Sequence, residues 1–466
     1  MGDDRDRQGT SRRTRVTRRV AAPRVIASVA GPRTTRPRAA LAAFAALATS
    51  AGLAACYPAT DATPASPSPE GDLVNLTVMT ITDIGIGPLL EQYEAEHPGV
   101  TVTQRLETPG SEHLLDEIEA GHPLSDVMVL EGRLGALMGE SSVFADLRDF
   151  GADARRADYL DWTWAGGTDA AGRVVGYGLD IAPMALCFRS DLLRDAGIAS
   201  DREELAAVLS ADGGGWDVFF DVGRRYRQAT GRAWFDRGGV LWDAMVSQQD
   251  NGYTALDGEP LPEDPDLRAR WDLLAAAIAD GLSADQVAWD WNGGESLIDG
   301  TFAVTVCPPW FLPVVEGAAT AAGGGPETGW DVADVFPGGG ATWGGTYMAV
   351  SADSRHPAEA AALVKWLTQP AQQLVITDST GTYPASRDAI AERAAAAEPH
   401  PFFHDAPVDA TFASRALTVP THAEGPYDWR IALEVFAPAV DALETGADAQ
   451  ATWEHAMSEV AAGAYR

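Results

Sequence analysis

The order strand, helix, strand at the start of the folded region constrains this chain more than any other feature. Residues 73–81 are apolar and β-branched and predict a buried strand, and residues 82–87 predict the turn after it. A helix is predicted to begin at Pro88, because proline suits a first helical turn, and residues 100–102 open a second strand. This order implies a right-handed crossover and a parallel sheet, so we expect an α/β fold.

Further elements follow along the chain. Apolar runs predict strands at 126–130 and 173–179, and helical periodicity predicts helices at 217–229, 266–279 and 358–367. A last long helix is predicted to turn one apolar stripe toward the core, made of Trp429, Leu433, Phe436, Val440 and Leu443.

An Arg-rich region and then a nearly uncharged apolar run, residues 39–55, precede the folded region. The run is shorter than the roughly 20 apolar residues that span a bilayer, so we expect residues 1–55 to be a cleaved signal peptide. It leads into Leu53-Ala-Ala-Cys56, which resembles the lipobox of bacterial lipoproteins and predicts a lipid on Cys56. Residues 56–72 are rich in proline and predict a flexible tether. The alternative is a signal anchor that stays uncleaved.

Composition limits the classes of function. The 466 residues are 46% hydrophobic, which is enough for two or three domains with real cores. A formal net charge of −33 argues against nucleic acid and anionic lipid surfaces as partners, so membrane attachment is expected through the lipid anchor alone. Cys187 and Cys307 both lie in apolar, strand-like runs, and the sequence leaves open whether they form a disulfide or two buried thiols.

Motifs for common enzymes and cofactors are incomplete. Gly85 and Gly87 begin like a dinucleotide-binding fingerprint, but Leu90 stands where the third glycine belongs. Lys365 is the only lysine, so the phosphate-binding Gly-Lys-Ser/Thr motif does not occur. We therefore predict no cofactor, no metal and no catalytic residues. A glycosidase is the enzymatic alternative, because its paired carboxylates need no fixed spacing.

Nine segments, in their order along the chain, resemble extracellular solute-binding protein family 1, the maltose-binding-like group. They are residues 89–102, 125–129, 176–178, 185–197, 216–223, 299–310, 343–345, 357–367 and 382–384. The resemblance implies a two-lobe, periplasmic-binding-protein-like α/β fold with a hinge and a ligand cleft between the lobes. On this basis lobe 1 is predicted at 73–182 plus 346–384, and lobe 2 at 183–345 plus 385–466.

The same resemblance implies a function. We expect a monomeric, lipid-anchored protein that captures a sugar or oligosaccharide outside the cell membrane and delivers it to the permease subunits of an ABC importer. Such proteins close their lobes around the ligand and present a changed shape to the membrane partner. Besides the glycosidase, a surface sensor or adhesion protein is a second alternative to this function.

Aromatic residues are the first candidates for ligand contact, because they offer flat apolar faces to sugar rings. Trp310 matches the stacking aromatic of the family, and Trp343 precedes Gly344 and Gly345, where backbone can approach a ligand. Tyr383, or alternatively Tyr427, is predicted to complete the platform. The alternative is that these rings belong to the core. Alternating tryptophans in Gly-flanked loops are compatible with a cleft rim: Trp162, Trp164, Trp289 and Trp291.

Carboxylates are the second set of candidates, because they accept hydrogen bonds from sugar hydroxyls. Asp83 and Glu131 follow predicted strands, where residues at the carboxyl ends of a parallel sheet point into a cleft. Asp180 lies where the chain is predicted to cross between the lobes. The alternative for each is a solvated surface charge.

Overall fold

A computed structural model describes residues 73–106, 114, 117–118, 120–131, 134–261, 264–286, 289–463 and 465. The predicted signal peptide, the lipidated Cys56 and the tether lie outside these residues. Within the described ranges, no helix is long and apolar enough to cross a membrane.

The first sheet contains the predicted strand–helix–strand unit. Its strands are β1 (Val74–Thr80), β2 (Val100–Leu106), β3 (Val127–Glu131), β4 (Tyr177–Pro183), β9 (Thr342–Val350) and β10 (Tyr383–Pro384), in the order β10-β4-β9-β3-β1-β2. Strand β1 pairs in parallel with β2 and β3, which confirms the predicted parallel arrangement. Strand β9 lies antiparallel between β3 and β4, so the sheet as a whole is mixed.

The second sheet contains β5 (Ala185–Arg189), β6 (Ala233–Phe235), β7 (Phe302–Cys307) and β8 (Trp330–Ala333), in the order β6-β7-β5-β8. Strand β5 is antiparallel to β7 and β8, and β6 is parallel to β7. Cys187 and Cys307 form a buried disulfide between β5 and β7, with a Cα–Cα distance of 5.6 Å. The pairing that the sequence left open is therefore a disulfide.

Helices cover both sheets. They are α1 (Gly87–Glu96), α2 (Asp161–Gly166), α3 (Ser190–Asp195), α4 (Arg202–Leu209), α5 (Trp216–Thr230), α6 (Gly238–Ser247), α7 (Pro265–Ala279), α8 (Glu295–Ile298), α9 (Leu312–Ala321), α10 (Pro357–Leu367), α11 (Pro370–Thr380), α12 (Arg387–Ala395), α13 (Val408–Ala416), α14 (Asp428–Ile431), α15 (Ala437–Glu444) and α16 (Ala449–Ala462). Short 3-10 segments connect them at Gly135–Val143, Leu147–Phe150, Ala152–Asp158, Ala211–Gly213, Pro309–Phe311, Pro326–Thr328 and Pro401–Phe403.

The predicted first helix forms and buries one apolar face. Pro88 lies in the first turn of α1, and the buried residues of α1 are Leu89, Leu90 and Tyr93. They share one core cluster with Leu76 and Val78 of β1. Burying this stripe of α1 against the sheet fixes the crossover, because an amphipathic helix is stabilised mainly by packing its apolar face.

Two connections join the sheets. Strand β4 ends at Pro183 and β5 begins at Ala185, so the chain passes from one sheet to the other across Met184 alone. Strand β9 returns to the first sheet after β8, and its first residue, Thr342, pairs with Pro183. The two crossings therefore lie side by side. The predicted lobe limits themselves stay a prediction.

The predicted stripe on the last long helix is wrong at Leu433, which is 47% exposed. Residues Ala432–Phe436 form a π-helical segment between α14 and α15. Because a π turn holds more residues than an α turn, the spacing that was read as continuous shifts by one position there. Phe436, Val440 and Leu443 are buried as predicted. Helix α16 follows Gly446 and was missed in the sequence.

Candidate functional site

Three tryptophans from separate segments meet in one group, which we call the tryptophan cluster: Trp289, Trp310 and Trp343. The ring centroids of Trp289 and Trp310 are 5.3 Å apart at an interplanar angle of 28°. Those of Trp289 and Trp343 are 5.6 Å apart at 23°, and those of Trp310 and Trp343 are 5.2 Å apart at 50°. The cluster brings together two of the predicted site residues.

Local sequence explains how Trp310 is presented. Strand β7 ends at Cys307, whose sulfur is bonded to β5, and Pro308 and Pro309 follow. Proline fixes the backbone φ angle, so the chain leaves the sheet in a defined direction and enters the 3-10 turn that carries Trp310. Trp310 is partly buried against the core cluster that includes Phe311.

Trp343 is held by the start of β9. Gly344 has a φ of +77°, a left-handed conformation that glycine adopts without strain. A Cβ on Gly345 would lie 2.8 Å from the carbonyl oxygen of Asp180, so β9 approaches β4 more closely than another residue would allow. The two predicted glycines thus shape the strand next to the tryptophan cluster.

Asp180 and Glu131 flank the same residue of β9. Strand pairing sets Thr346 opposite Glu131 on one side and opposite Asp180 on the other. Asp180 is buried, and its carboxylate accepts a hydrogen bond of 3.0 Å from the backbone N–H of Thr346. Asp83 is exposed in the turn after β1 and accepts from the backbone N–H of Gly85 at 3.0 Å.

Tyr383 lies in the core, with only 1% of its surface exposed. Its hydroxyl donates to the carbonyl oxygen of Asp409 at 2.6 Å, and its ring packs against Phe412. Burial raises the pKa of Tyr383. The structure does not bring this ring into the tryptophan cluster.

Two acidic residues that the sequence analysis missed have raised pKa values. Glu424 is exposed to solvent and Asp243 is half-buried, yet desolvation by the surrounding protein raises the pKa of each to about 7. Within the described part of the chain, neither carboxylate has a hydrogen-bond or ion-pair partner.

Glu424 lies between elements that are distant in sequence. A Cβ on Gly135 would be 2.6 Å from a carboxylate oxygen of Glu424. Burial raises the pKa of Tyr347 on β9, and the negative charges of Glu424 and Asp180 add to this effect. Glu424 therefore faces the first sheet from the segment before α14. No local sequence pattern marks this position, because it depends on how the chain folds back.

Asp428 anchors the segment that carries Glu424. One oxygen of its buried carboxylate accepts from the backbone N–H groups of Tyr253 and Thr254 and from the Thr254 hydroxyl, at 3.1, 2.7 and 2.7 Å. The other oxygen accepts from the backbone N–H of Gly425 at 2.7 Å. Burial raises the pKa of Tyr253, and the charges of Asp243 and Asp428 add to this effect, so Asp243 lies near this anchor.

The remaining rim candidates differ from the expectation. Trp291 is only 1% exposed, and its indole N–H donates to the half-buried carboxylate of Asp236 at 3.2 Å. Desolvation raises the pKa of Asp236. Trp162 donates to the carbonyl oxygen of Ala416, and the guanidinium of Arg156 lies over the Trp164 ring. Among the four rim candidates only Trp289 joins the tryptophan cluster.

Comparison with known proteins identifies the family. A family model described as bacterial extracellular solute-binding protein matches residues 89–404. A crystal structure described as extracellular solute-binding protein family 1 is 36% identical, with a TM-score of 0.78, and the match covers 84% of this chain and all of that chain. No curated protein sequence matches.

More distant structures share the fold. The galacto-N-biose-/lacto-N-biose I-binding protein of the ABC transporter from Bifidobacterium longum is 17% identical, with a TM-score of 0.64 over 84% of this chain and 98% of that chain. The sugar-binding protein MalE from Xanthomonas citri is 16% identical, with a TM-score of 0.65 over 83% and 96%. The predicted two-lobe, periplasmic-binding-protein-like α/β fold is confirmed, and the chain belongs to the bacterial extracellular solute-binding proteins.

Proposed function

We propose that this protein is a lipid-anchored substrate-binding protein of an ABC importer and that it binds a sugar or oligosaccharide in the cleft between its lobes. The observation that carries the proposal is the tryptophan cluster, together with two carboxylates that have no hydrogen-bond or ion-pair partner among the described residues. The ligand contacts proposed from the sequence are Asp83, Glu131, Asp180, Trp310, Trp343, Gly344, Gly345 and Tyr383. To these we add Glu424 and Asp243.

The chemistry of a sugar matches this combination. A sugar ring has apolar C–H faces that stack on indole rings, and it has hydroxyl groups that need hydrogen-bond acceptors. Asp180 already accepts from Thr346, so it supports the strand that carries Trp343. Glu424 and Asp243 accept no hydrogen bond from the residues that the structure describes. A desolvated carboxylate gains most from a new hydrogen bond, because charge-assisted hydrogen bonds are the strong ones.

Relatives support the importer assignment. A binding protein from Bifidobacterium longum with this fold belongs to an ABC transporter and was solved with lacto-N-biose. A second, from B. animalis subsp. lactis, is associated with an ABC transporter and was solved with β-1,6-galactobiose; it is 17% identical, with a TM-score of 0.63. We infer the same class of ligand and the same kind of membrane partner for this chain.

The glycosidase alternative rests on one observation. A general acid for glycoside hydrolysis works best with a pKa near the working pH, and the pKa of Glu424 is raised to about 7. A binding protein would use the same carboxylate to accept hydroxyl hydrogen bonds without breaking the ligand. The two functions therefore differ in what happens to the sugar after binding.

The test is a binding panel followed by product analysis. The purified chain is titrated calorimetrically with lacto-N-biose, β-1,6-galactobiose, maltose and acarbose, and its melting temperature is measured with each. A ligand that binds only the folded state stabilises it by about 2.7 kcal/mol at a concentration of 100 Kd. We expect at least one sugar to bind and to be recovered intact. Release of smaller sugars that is lost in Glu424→Gln would favour the glycosidase, and binding of none would refute the proposal.

The lipid anchor needs a separate measurement. Mass spectrometry of the protein from native membranes should find a lipid-modified peptide that begins at Cys56. An unmodified peptide that spans Ala55 and Cys56 as the main species would contradict cleavage and lipidation at this site.

A further inference from the structure

Trp289 lies on the two rings that a sugar would use. Its ring is nearly parallel to Trp310 and to Trp343, at centroid distances of 5.3 and 5.6 Å. Phe311 adds an edge contact to Trp289 at 4.9 Å. The indole of Trp289 thus makes the kind of stacking contact with these rings that the proposed function assigns to a sugar.

Trp310 and Trp343 are each partly buried. Trp310 packs against the core cluster that contains Phe311 and Leu312, and Trp343 packs against the cluster that contains Leu241 and Trp242 of α6. Core packing therefore limits the ring surface that a ligand can reach, and Trp289 covers part of what remains.

The spacing leaves no room for a sugar beneath Trp289. Carbon atoms in contact are separated by about 3.5 to 4 Å, so two aromatic rings with a sugar ring between them stand about 7 to 8 Å apart. The observed centroid distance of 5.3 Å is that of direct ring contact. Trp289 and a sugar ring on the same face of Trp310 are therefore mutually exclusive.

Few interactions hold Trp289 in this place. It is 44% exposed, and its indole N–H makes no hydrogen bond within the residues that the structure describes. Its backbone φ is +69°, and those of Trp291 and Asn292 are +43° and +56°. A bulky residue is strained in this left-handed region, and such strain is characteristic of functional sites. Aromatic contact alone keeps the ring on the cluster, against an unfavourable backbone.

We propose that Trp289 is a self-capping residue that occupies the stacking place of a sugar ring in the ligand-free protein and is displaced when a sugar binds. The inference rests on the proposed function. It makes Trp289 a determinant of affinity and specificity, since only ligands that stack on Trp310 and Trp343 better than an indole does can displace it. Sugars with a continuous apolar face are therefore favoured over small, fully polar solutes.

Removing the cap tests the proposal. In Trp289→Ala the site is always open, so each panel sugar that binds the wild type should bind this variant about 3- to 30-fold more tightly. Trp289→Phe keeps a smaller ring, so its sugar affinity should lie between those of the wild type and Trp289→Ala. Trp366→Ala is the matched control, because Trp366 is a half-buried ring that packs against Tyr93. Its sugar affinity should equal that of the wild type.

Fluorine NMR gives a readout that needs no ligand. The protein is labelled with 5-fluorotryptophan, and the signals are assigned by single Trp→Phe changes. The fluorine chemical shift of each signal is compared in H2O and D2O, because this difference grows with solvent exposure. For Trp310 and Trp343 the difference should be larger in Trp289→Ala than in the wild type. Unchanged shifts would overturn the proposal even if no sugar of the panel binds.

Calorimetry separates this inference from the proposed function. Weaker sugar binding by Trp289→Ala would show that Trp289 is itself the platform, which overturns the cap and leaves sugar binding in place. Absence of binding by every variant and by the wild type would count against the proposed function, and the fluorine experiment would still decide whether the cap exists.

Discussion

Asp428 should be the most damaging single position to truncate near the cleft. Its buried carboxylate accepts four hydrogen bonds, from three backbone N–H groups and one hydroxyl, and thereby ties residues 253–254 to Gly425. In Asp428→Ala the three N–H groups lose their acceptor inside the protein. Each unsatisfied buried donor costs about 1 to 3 kcal/mol, and entry of water offsets part of this, so we expect a loss of about 3 to 6 kcal/mol.

Urea unfolding followed by circular dichroism measures this loss. Asp428→Asn keeps one acceptor oxygen but points an amide at the N–H of Gly425, so it should cost less than Asp428→Ala and more than a surface change. The control is Asp441→Ala, which removes an exposed carboxylate paired with Arg237 and should cost less than about 1 kcal/mol. Equal stabilities of Asp428→Ala and Asp441→Ala would refute the argument that Asp428 anchors this segment.

Three further predictions concern the cleft. Trp310→Ala and Trp343→Ala should each weaken binding of a panel sugar by about 1 to 3 kcal/mol, measured by calorimetry. Unchanged affinity in both variants would show that the two rings do not contact the ligand. Gly135→Ala should lower affinity, because its Cβ would be 2.6 Å from the Glu424 carboxylate, whereas Gly317→Ala, which meets nothing within 4 Å, should not. The pKa of Glu424 is raised from 4.5 to about 7 in the folded protein. The contribution of Glu424 to the free energy of unfolding therefore falls as the pH rises from about 4.5 to 7. In Glu424→Gln the free energy of unfolding, measured by urea unfolding, should change less with pH over this range than in the wild type. An equal pH dependence in the two proteins would contradict the raised pKa.

The β1–α1–β2 unit could be predicted from local sequence patterns. The apolar run of β1, the proline at the start of α1 and the following strand gave the parallel crossover, because helix and strand periodicities are short-range signals. The insertion of β9 between β3 and β4 was not predicted, since its partners lie more than 150 residues away. The predicted apolar stripe of the last helix is wrong at Leu433, because no residue type in the sequence indicates a π turn.

The candidate site shows the same division. Trp310 and Trp343 were identified because a strand end and a glycine pair mark them in the sequence, but their contact with Trp289 depends on tertiary structure. Glu424 and Asp243 were missed, because desolvation by distant segments distinguishes them from the many surface acids. The Cys187–Cys307 bond was left open, because a separation of 120 residues says nothing about distance in the fold.

A crystal structure of the protein with its tightest-binding panel sugar tests the central claim most directly. We predict a sugar ring stacked on Trp310 or Trp343, with Trp289 moved off the cluster and a sugar hydroxyl within hydrogen-bond distance of the Glu424 carboxylate. A sugar bound elsewhere, with the tryptophan cluster unchanged and Glu424 still without a partner, would contradict the account.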